Sequence, residues 1–173
     1  MAEAELQQDR QLLVRLAVDG SGDATVDTGL PVLDHLLGVF ARYASFEFAL
    51  EVAPDSAQAQ ITAAGRALGQ ALRSALDSAD ARGHGLGAVP ADEALASVAL
   101  DRSERPLVVS NVDLSGVQLA GLETDVVAGF LNELAEGAGV VIHVRLAHGD
   151  EEQHVLDSIF KALGVAFGQA CRS

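Results

Sequence analysis

The sequence predicts an α+β fold of two pseudo-symmetric β-β-α-β-α halves, with sheets packed against helices. Three observations predict it. Apolar residues switch between a period of two and a helical period in the same order twice along the chain. Ala67-Leu68-Gly69-Gln70-Ala71-Leu72 recurs as Ala162-Leu163-Gly164-Val165-Ala166-Phe167, 95 residues later. No linker long enough to separate two folding units interrupts the chain, so the halves, 1–88 and 89–173, are expected to form one layered unit.

In the first half, Leu12, Val14, Leu16 and Val18 alternate as a strand. The turn formers Asp19-Gly20-Ser21-Gly22-Asp23 lead to a returning strand, 24–28, which predicts a hairpin with a longer loop. Val32, Leu33, Leu36, Leu37 and Phe40 have helical spacing, and Phe46, Phe48, Leu50 and Val52 alternate again. Pro54-Asp55-Ser56 stops that strand. Ile61, Ala64, Leu68, Leu72 and Leu76 form one face of a longer helix that ends near Gly83-His84-Gly85. The second half predicts strands at 93–101 and 107–112, a helix at 123–137, a strand at 140–146 and a helix at 153–170.

The chain carries 25 acidic residues against 11 bases, a net charge of −14, and every base except Lys161 is an arginine. A nucleic-acid footprint needs a basic stripe to neutralise phosphates, so that class is excluded, and docking to an anionic membrane is disfavoured. A phosphorylated small molecule would have to be held by a few locally placed bases. An apolar content of 49% indicates a globular core, and scarce aromatics leave Leu, Val, Ala and Phe to build it. Cys171 stands alone, which excludes a disulfide framework and argues against a thiolate zinc site. The N-terminus shows no signal-peptide pattern, and no apolar run approaches the roughly 20 residues that span a bilayer, so a cytoplasmic protein is expected.

Asp27-Thr28-Gly29-Leu30-Pro31-Val32-Leu33-Asp34-His35-Leu36-Leu37 resembles the D-T-G-[IL]-x-x-[FL]-D-H-M-L segment of the imidazoleglycerol-phosphate dehydratases, lyases of histidine biosynthesis. Val89-Pro90-Ala91-Asp92-Glu93-Ala94-Leu95 is similar to that family's V-P-M-D-E-A-L. The segment 98–106 is similar to its V-A-L-D-x-S-G-R-P, Ile142-His143 to its L-H-[IVL], and Phe160-Lys161-Ala162-Leu163 to its F-K-A-L. The resemblance implies duplicated halves, 24-subunit shells, active sites between subunits and two manganese ions. It also implies dehydration of a phosphorylated imidazole glycerol, with the metals holding the ring as imidazolate. Divalent manganese suits imidazole and carboxylate donors in octahedral geometry.

The ligand set is where this sequence departs. Each half of the family supplies one His on its shorter helix and an H-H-x-x-E at the start of its longer helix. The first His and the Glu are then i and i+4 on one helical face. Here the shorter-helix positions are His35 and Gly129. The first H-H-x-x-E reads Gln58-Ala59-Gln60-Ile61-Thr62, and the second reads Gln153-His154-Val155-Leu156-Asp157. The resemblance therefore leaves His35, His154 and a shortened carboxylate, Asp157, as residual metal candidates, and manganese binding is expected to be reduced or absent. The segment before the first motif is shorter than usual, and its R-x-T-x-E-T survives at most as Asp9. For the substrate phosphate the resemblance points to Arg105, Lys161 and, with an alignment slip, Arg82.

Each candidate has an ordinary reading beside the functional one. His35 is a ligand or a helix residue kept by packing. His154 with Asp157 is a weak i, i+3 metal pair or a surface hydrogen bond. His143 is structural, and His84 and His148 face solvent. Arg105 and Lys161 are phosphate clamps or partners of the many carboxylates. Glu151-Glu152 suits a helix N-terminus. Two functions follow: a divergent dehydratase using residual or partner-donated ligands, or a non-catalytic member that keeps the scaffold. Such a member could bind a phosphorylated ligand, assemble with itself, or co-assemble with an active paralogue.

Overall fold

A computed structural model describes residues 12–113 and 126–173. The elements are β1 (Leu12–Ala17), β2 (Ala24–Asp27), α1 (Pro31–Ala44), β3 (Glu47–Val52), α2 (Ala57–Leu76), β4 (His84–Ala91), β5 (Ala94–Arg102), β6 (Leu107–Ser110), α3 (Val126–Ala138), β7 (Val140–His148) and α4 (Glu152–Ala170). They form a three-stranded sheet in the order β1-β3-β2 and a four-stranded sheet in the order β4-β5-β7-β6. The expected α+β class and duplicated halves are therefore present. Of the segment read as a helix at 123–137, residues 123–125 lie outside the described residues, as does Asp9.

The expected hairpin of the first two strands is not formed. β1 runs antiparallel to β3, and β2 runs parallel to β3 on its other side. The turn at 19–23 instead crosses the end of β3, where Gly20 N donates to Ser45 O and Phe48 N donates to Asp23 O. A Cβ at Gly20 would lie 2.4 Å from Glu47 N, so glycine is required by this close crossing. Turn-forming composition signals a reversal but not which strand lies beside the returning one.

β4 is an addition that the sequence pattern does not predict. Gly85, Gly87 and Pro90 weaken its strand signal, and each has a reason. A Cβ at Gly85 would sit 2.0 Å from Ala166 O, and one at Gly87 would sit 2.3 Å from Ala162 O, because α4 lies directly on this strand. Pro90 is tolerated because β4 is an edge strand. The strand spans position 88, where the two halves were expected to meet, and belongs wholly to the second sheet.

The repeat is sharper in three dimensions than in sequence. The buried positions Leu33, Leu36, Leu37, Phe40, Ala41 and Ala44 of α1 fall on Val127, Phe130, Leu131, Leu134, Ala135 and Ala138 of α3, at an offset of 94. Those of α2, from Ile61 to Leu76, fall on buried residues of the α4 segment at an offset of 95. Sheet registers match β1 to β5 and β2 to β6 at an offset of 84. The second half therefore carries ten more residues between β6 and α3, the stretch that includes 114–125.

Each long helix packs on the short helix of the other half: α2 on α3, and α4 on α1. Gly69 and Gly164 occupy equivalent points of the two crossings, where a Cβ would lie 2.8 Å from Leu134 O and 2.5 Å from Phe40 O. Phe40 sits at the centre of the first-half core, edge-on to Phe46, Phe48 and Phe167. This reciprocal packing brings the starts of the long helices beside the short helices of the opposite halves.

Candidate functional site

The turn between β2 and α1 is closed by its own side chains. Thr28 is fully buried, and its N and Oγ1 donate to Asp34 Oδ1 at 3.0 and 2.5 Å. Leu30 N donates to Thr28 Oγ1 at 3.2 Å. Gly29 has φ +81, and a Cβ there would meet Gln60 Nε2 at 2.4 Å. Pro31 takes the first helical position. Most of the motif at 27–37 thus builds the turn that launches α1 and fixes where the next residue, His35, emerges.

His35 meets α4. Its Nε2 lies 3.1 Å from Asp157 Oδ1, and Gln153 Nε2 donates to the same oxygen at 3.0 Å. A carboxylate oxygen in this place suits an imidazole that donates from Nε2. His35 is exposed and Asp157 is half-buried, so the cluster opens to solvent. At the other helix crossing, the equivalent positions are Gly129, Gln58 and Thr62, which bring no imidazole and no carboxylate. Ile61 Cγ2 already stands 3.5 Å from the place of a Cβ at Gly129.

His154 is not part of the His35–Asp157 cluster. It turns to the tip of the β4–β5 hairpin, where its Nδ1 lies 2.6 Å from Glu93 Oε2 and 3.4 Å from Glu151 Oε2. Its Nε2 lies 3.1 Å from Asp92 Oδ2. Both ring nitrogens face carboxylates, an arrangement that suits the doubly protonated ring. The Glu93 hydrogen bond is the main cause that raises the His154 pKa. Glu93 also anchors the start of α4, since its Oε1 accepts from Glu151 N at 3.0 Å and from Asp150 N at 3.4 Å. These hydrogen bonds, led by Glu151 N, hold its pKa down at about 2. Sequence reasoning overlooked Glu93 and Asp92 as partners of His154. The signal was the 89–95 motif, but with β4 unrecognised its hairpin tip had no place in space.

Within one chain, Lys161 and Arg105 lie toward opposite ends of the β4–β5 hairpin. Lys161 Nζ donates to Pro90 O at 3.2 Å and lies 5.4 Å from the centre of the Tyr43 ring, near the hairpin tip. Arg105 follows the opposite end of β5, beyond Arg102, with its N donating to Ser103 Oγ. Arg102 lies seven steps along the strand from Leu95, about 23 Å at the usual rise. Arg82 lies toward the Arg105 end, where its N donates to Arg172 O. It lines an open depression of about 320 Å³ with Tyr43, Gln169 and Arg172. A site using both Lys161 and Arg105 therefore needs two chains.

A sequence profile described as imidazoleglycerol-phosphate dehydratase matches residues 28–167. The chain belongs to the imidazoleglycerol-phosphate dehydratase family. The imidazoleglycerol-phosphate dehydratase of Syntrophobacter fumaroxidans is 37% identical over 171 residues, covering 96% of this chain and 87% of the relative. That of Geobacter sulfurreducens is 36% identical over 167 residues, covering 94% and 86%. The crystal structure of the enzyme from Staphylococcus aureus superposes with a TM-score of 0.85 at 28% identity, covering 96% of both chains. The structure of the Pyrococcus furiosus enzyme gives 0.81 at 26% identity, covering 94% of this chain and 89% of that one.

Several segments within the range matched by the imidazoleglycerol-phosphate dehydratase family have structural roles here. Thr28 and Asp34 close a turn, Glu93 anchors a helix, and Phe160 lies in the core against Phe130. Among the described residues, no group of three or more His, Cys, Asp and Glu side chains is placed to hold a metal ion. No described helix is long and apolar enough to cross a membrane.

Proposed function

We propose that this chain is an imidazoleglycerol-phosphate dehydratase homologue of the cytoplasm that keeps the scaffold and does not dehydrate imidazoleglycerol phosphate with its own residues. The observation that carries this reading is the donor set at the two helix crossings. One crossing offers His35, Gln153 and Asp157, and the other offers Gly129, Gln58 and Thr62. Two octahedral manganese ions call for imidazoles and carboxylates, and amide and hydroxyl oxygens are weak substitutes. His154, the further imidazole by position, has both nitrogens committed to carboxylates. The residues present do not fit a dimanganese centre. The chain would act as a self-assembling or co-assembling subunit. Lys161, Arg105 and Arg82 would hold the phosphate of a small ligand where two chains meet.

A second reading is favoured by one observation: His35 Nε2 and Gln153 Nε2 still converge on Asp157 Oδ1. It makes the chain a divergent dehydratase completed by ligands from another subunit. Turnover of imidazoleglycerol phosphate by the purified chain separates the two. No turnover with added manganese supports the first reading. Turnover abolished by His35→Ala supports the second and overturns the first.

A further inference from the structure

The outward face of the three-stranded sheet carries charges that the described residues leave unpaired. The registers set Arg15, Ala49 and Thr25 in one row across β1, β3 and β2. Ala17 and Glu47 form the next row, with Asp23 at its end, where Asp23 O accepts from Phe48 N. Phe48 and Leu50 alternate with these residues and point the other way, into the core. Ala17 and Ala49 are too short to fill the outward face. A hollow of about 340 Å³ lies over them, walled by Arg15, Asp23, Thr25 and Glu47. The equivalent positions of the four-stranded sheet are Ala99, Leu107, Val109 and Val141, so this polar hollow belongs to the first half and not to the repeated unit.

Among the described residues, the side chains of Arg15, Thr25 and Glu47 make no hydrogen bond or ion pair, and the Asp23 carboxylate accepts from Ser21 Oγ alone. Arg66, Arg102 and Arg172 each reach a carboxylate. Arg15 lies diagonally from Glu47, a separation of about 7–8 Å that long side chains can bridge, yet the two do not meet. Opposite charges thus border one hollow. A bare cation would meet the Arg15 guanidinium there, and a simple anion would meet Glu47 and Asp23. A molecule that carries both signs satisfies both walls. The walls hold one positive and two negative groups, and Glu51 and Asp27 stand one row further along. A second positive charge on the ligand therefore completes the match.

We propose that this hollow binds a free basic α-amino acid of the size of lysine. The ligand carboxylate pairs with the planar fork of Arg15, and its α-ammonium lies over Ala49 toward Glu47. The side-chain cation reaches Asp23 beside Thr25. Arg15 and Asp23 stand on the two outer strands, two strand spacings or about 10 Å apart, a span that an extended lysine covers together with the Arg15 side chain. The hollow is on the side of the sheet away from the helix crossings, so the proposal does not depend on whether the chain is catalytic.

Saturation-transfer difference NMR of the full chain with L-lysine tests it. A saturable response in the millimolar range is expected, because the charges are exposed. Arg15→Gln should weaken lysine binding by about three- to fivefold and should not weaken lysinamide, which lacks the carboxylate. Glu47→Gln should weaken both by a similar factor. On the wild type, Nα-acetyllysine should bind about three- to fivefold more weakly than lysine, and L-glutamate should give no response. Both substituted positions are solvent-facing, and circular dichroism checks that the variants are folded. If a variant fails to fold, the ligand series on the wild type carries the test alone. The absence of a saturable lysine response would overturn the proposal, as would Nα-acetyllysine binding as well as lysine. Arg15→Gln leaving lysine binding unchanged, or weakening lysinamide equally, would reduce the effect to general attraction by an acidic chain and would also overturn it. A sedimentation coefficient altered by Arg15→Gln in a chain that binds no lysine would place a second copy on this face instead.

Discussion

Ser158→Ala should destabilise the protein more than any other loss of a single oxygen in α4. Ser158 is fully buried between α4 and the β4–β5 hairpin. Its Oγ donates to Val89 O at 2.5 Å and accepts from Ala96 N at 2.8 Å. Val89 and Ala96 are register partners, and the β5–β7 register shifts between Leu95 and Ala96. The hydroxyl thus stands in for a direct ladder bond between the two strands. Alanine leaves a backbone donor and a backbone acceptor without partners, each at about 1–3 kcal/mol when buried. Water can reach the half-buried Val89, which lowers the sum, so the expected loss is about 2–4 kcal/mol. For a chain of this size that is a fall in Tm of roughly 5–15 °C. Urea denaturation followed by circular dichroism, repeated at several protein concentrations to separate folding from assembly, measures it. A loss below about 0.5 kcal/mol would refute the argument, since it would mean the strands close up and make the bond themselves.

Glycines in the helices should respond in opposite directions. Gly164→Ala drives a Cβ to 2.5 Å from Phe40 O and should cost about 1–3 kcal/mol in thermal melts. Gly38→Ala meets nothing within 4 Å on α1 and should gain up to about 1 kcal/mol. The Glu93 contacts give a pH signature. Glu93 is held down at about 2, so its contribution is present above its ordinary 4.5 and is lost only as pH falls through about 2. His154 is raised, so its contribution is complete below 6.5 and is lost as pH rises through the raised value. An NMR titration should place the His154 midpoint above 6.5 in the wild type and nearer 6.5 in Glu93→Gln. Equal midpoints in the two proteins would contradict the assigned cause.

The strands and helices that bury one clear face were legible in the sequence. Leu33 to Phe40 and Ile61 to Leu76 read as helices and are helices, and the alternation at 12–18 and 46–52 reads as strands and forms them. What was not legible depends on neighbours far away in sequence. β4 is written in glycines because α4 lies on it, and those same glycines erase its strand signal. The order β1-β3-β2 depends on which strand enters between two others, which a turn at 19–23 does not encode. At the candidate site, the residue types at Gln58, Thr62, Gly129 and Gln153 were visible. The separation of His154 from Asp157 was not, because spacing on a helix says nothing about the hairpin tip that draws His154 away. The distance between Lys161 and Arg105 was hidden for the same reason, since it is set by the length of β5.

The central claim is that the chain lacks the residues for a dimanganese centre of its own. The most direct measurement is manganese stoichiometry on the full-length protein. Apoprotein would be dialysed against a manganese series, and bound metal per chain measured by elemental analysis. The account predicts no saturable, near-stoichiometric binding in the low micromolar range, and no change when His35 is replaced by Ala. Two tightly held manganese ions per chain, lost on His35→Ala, would contradict it.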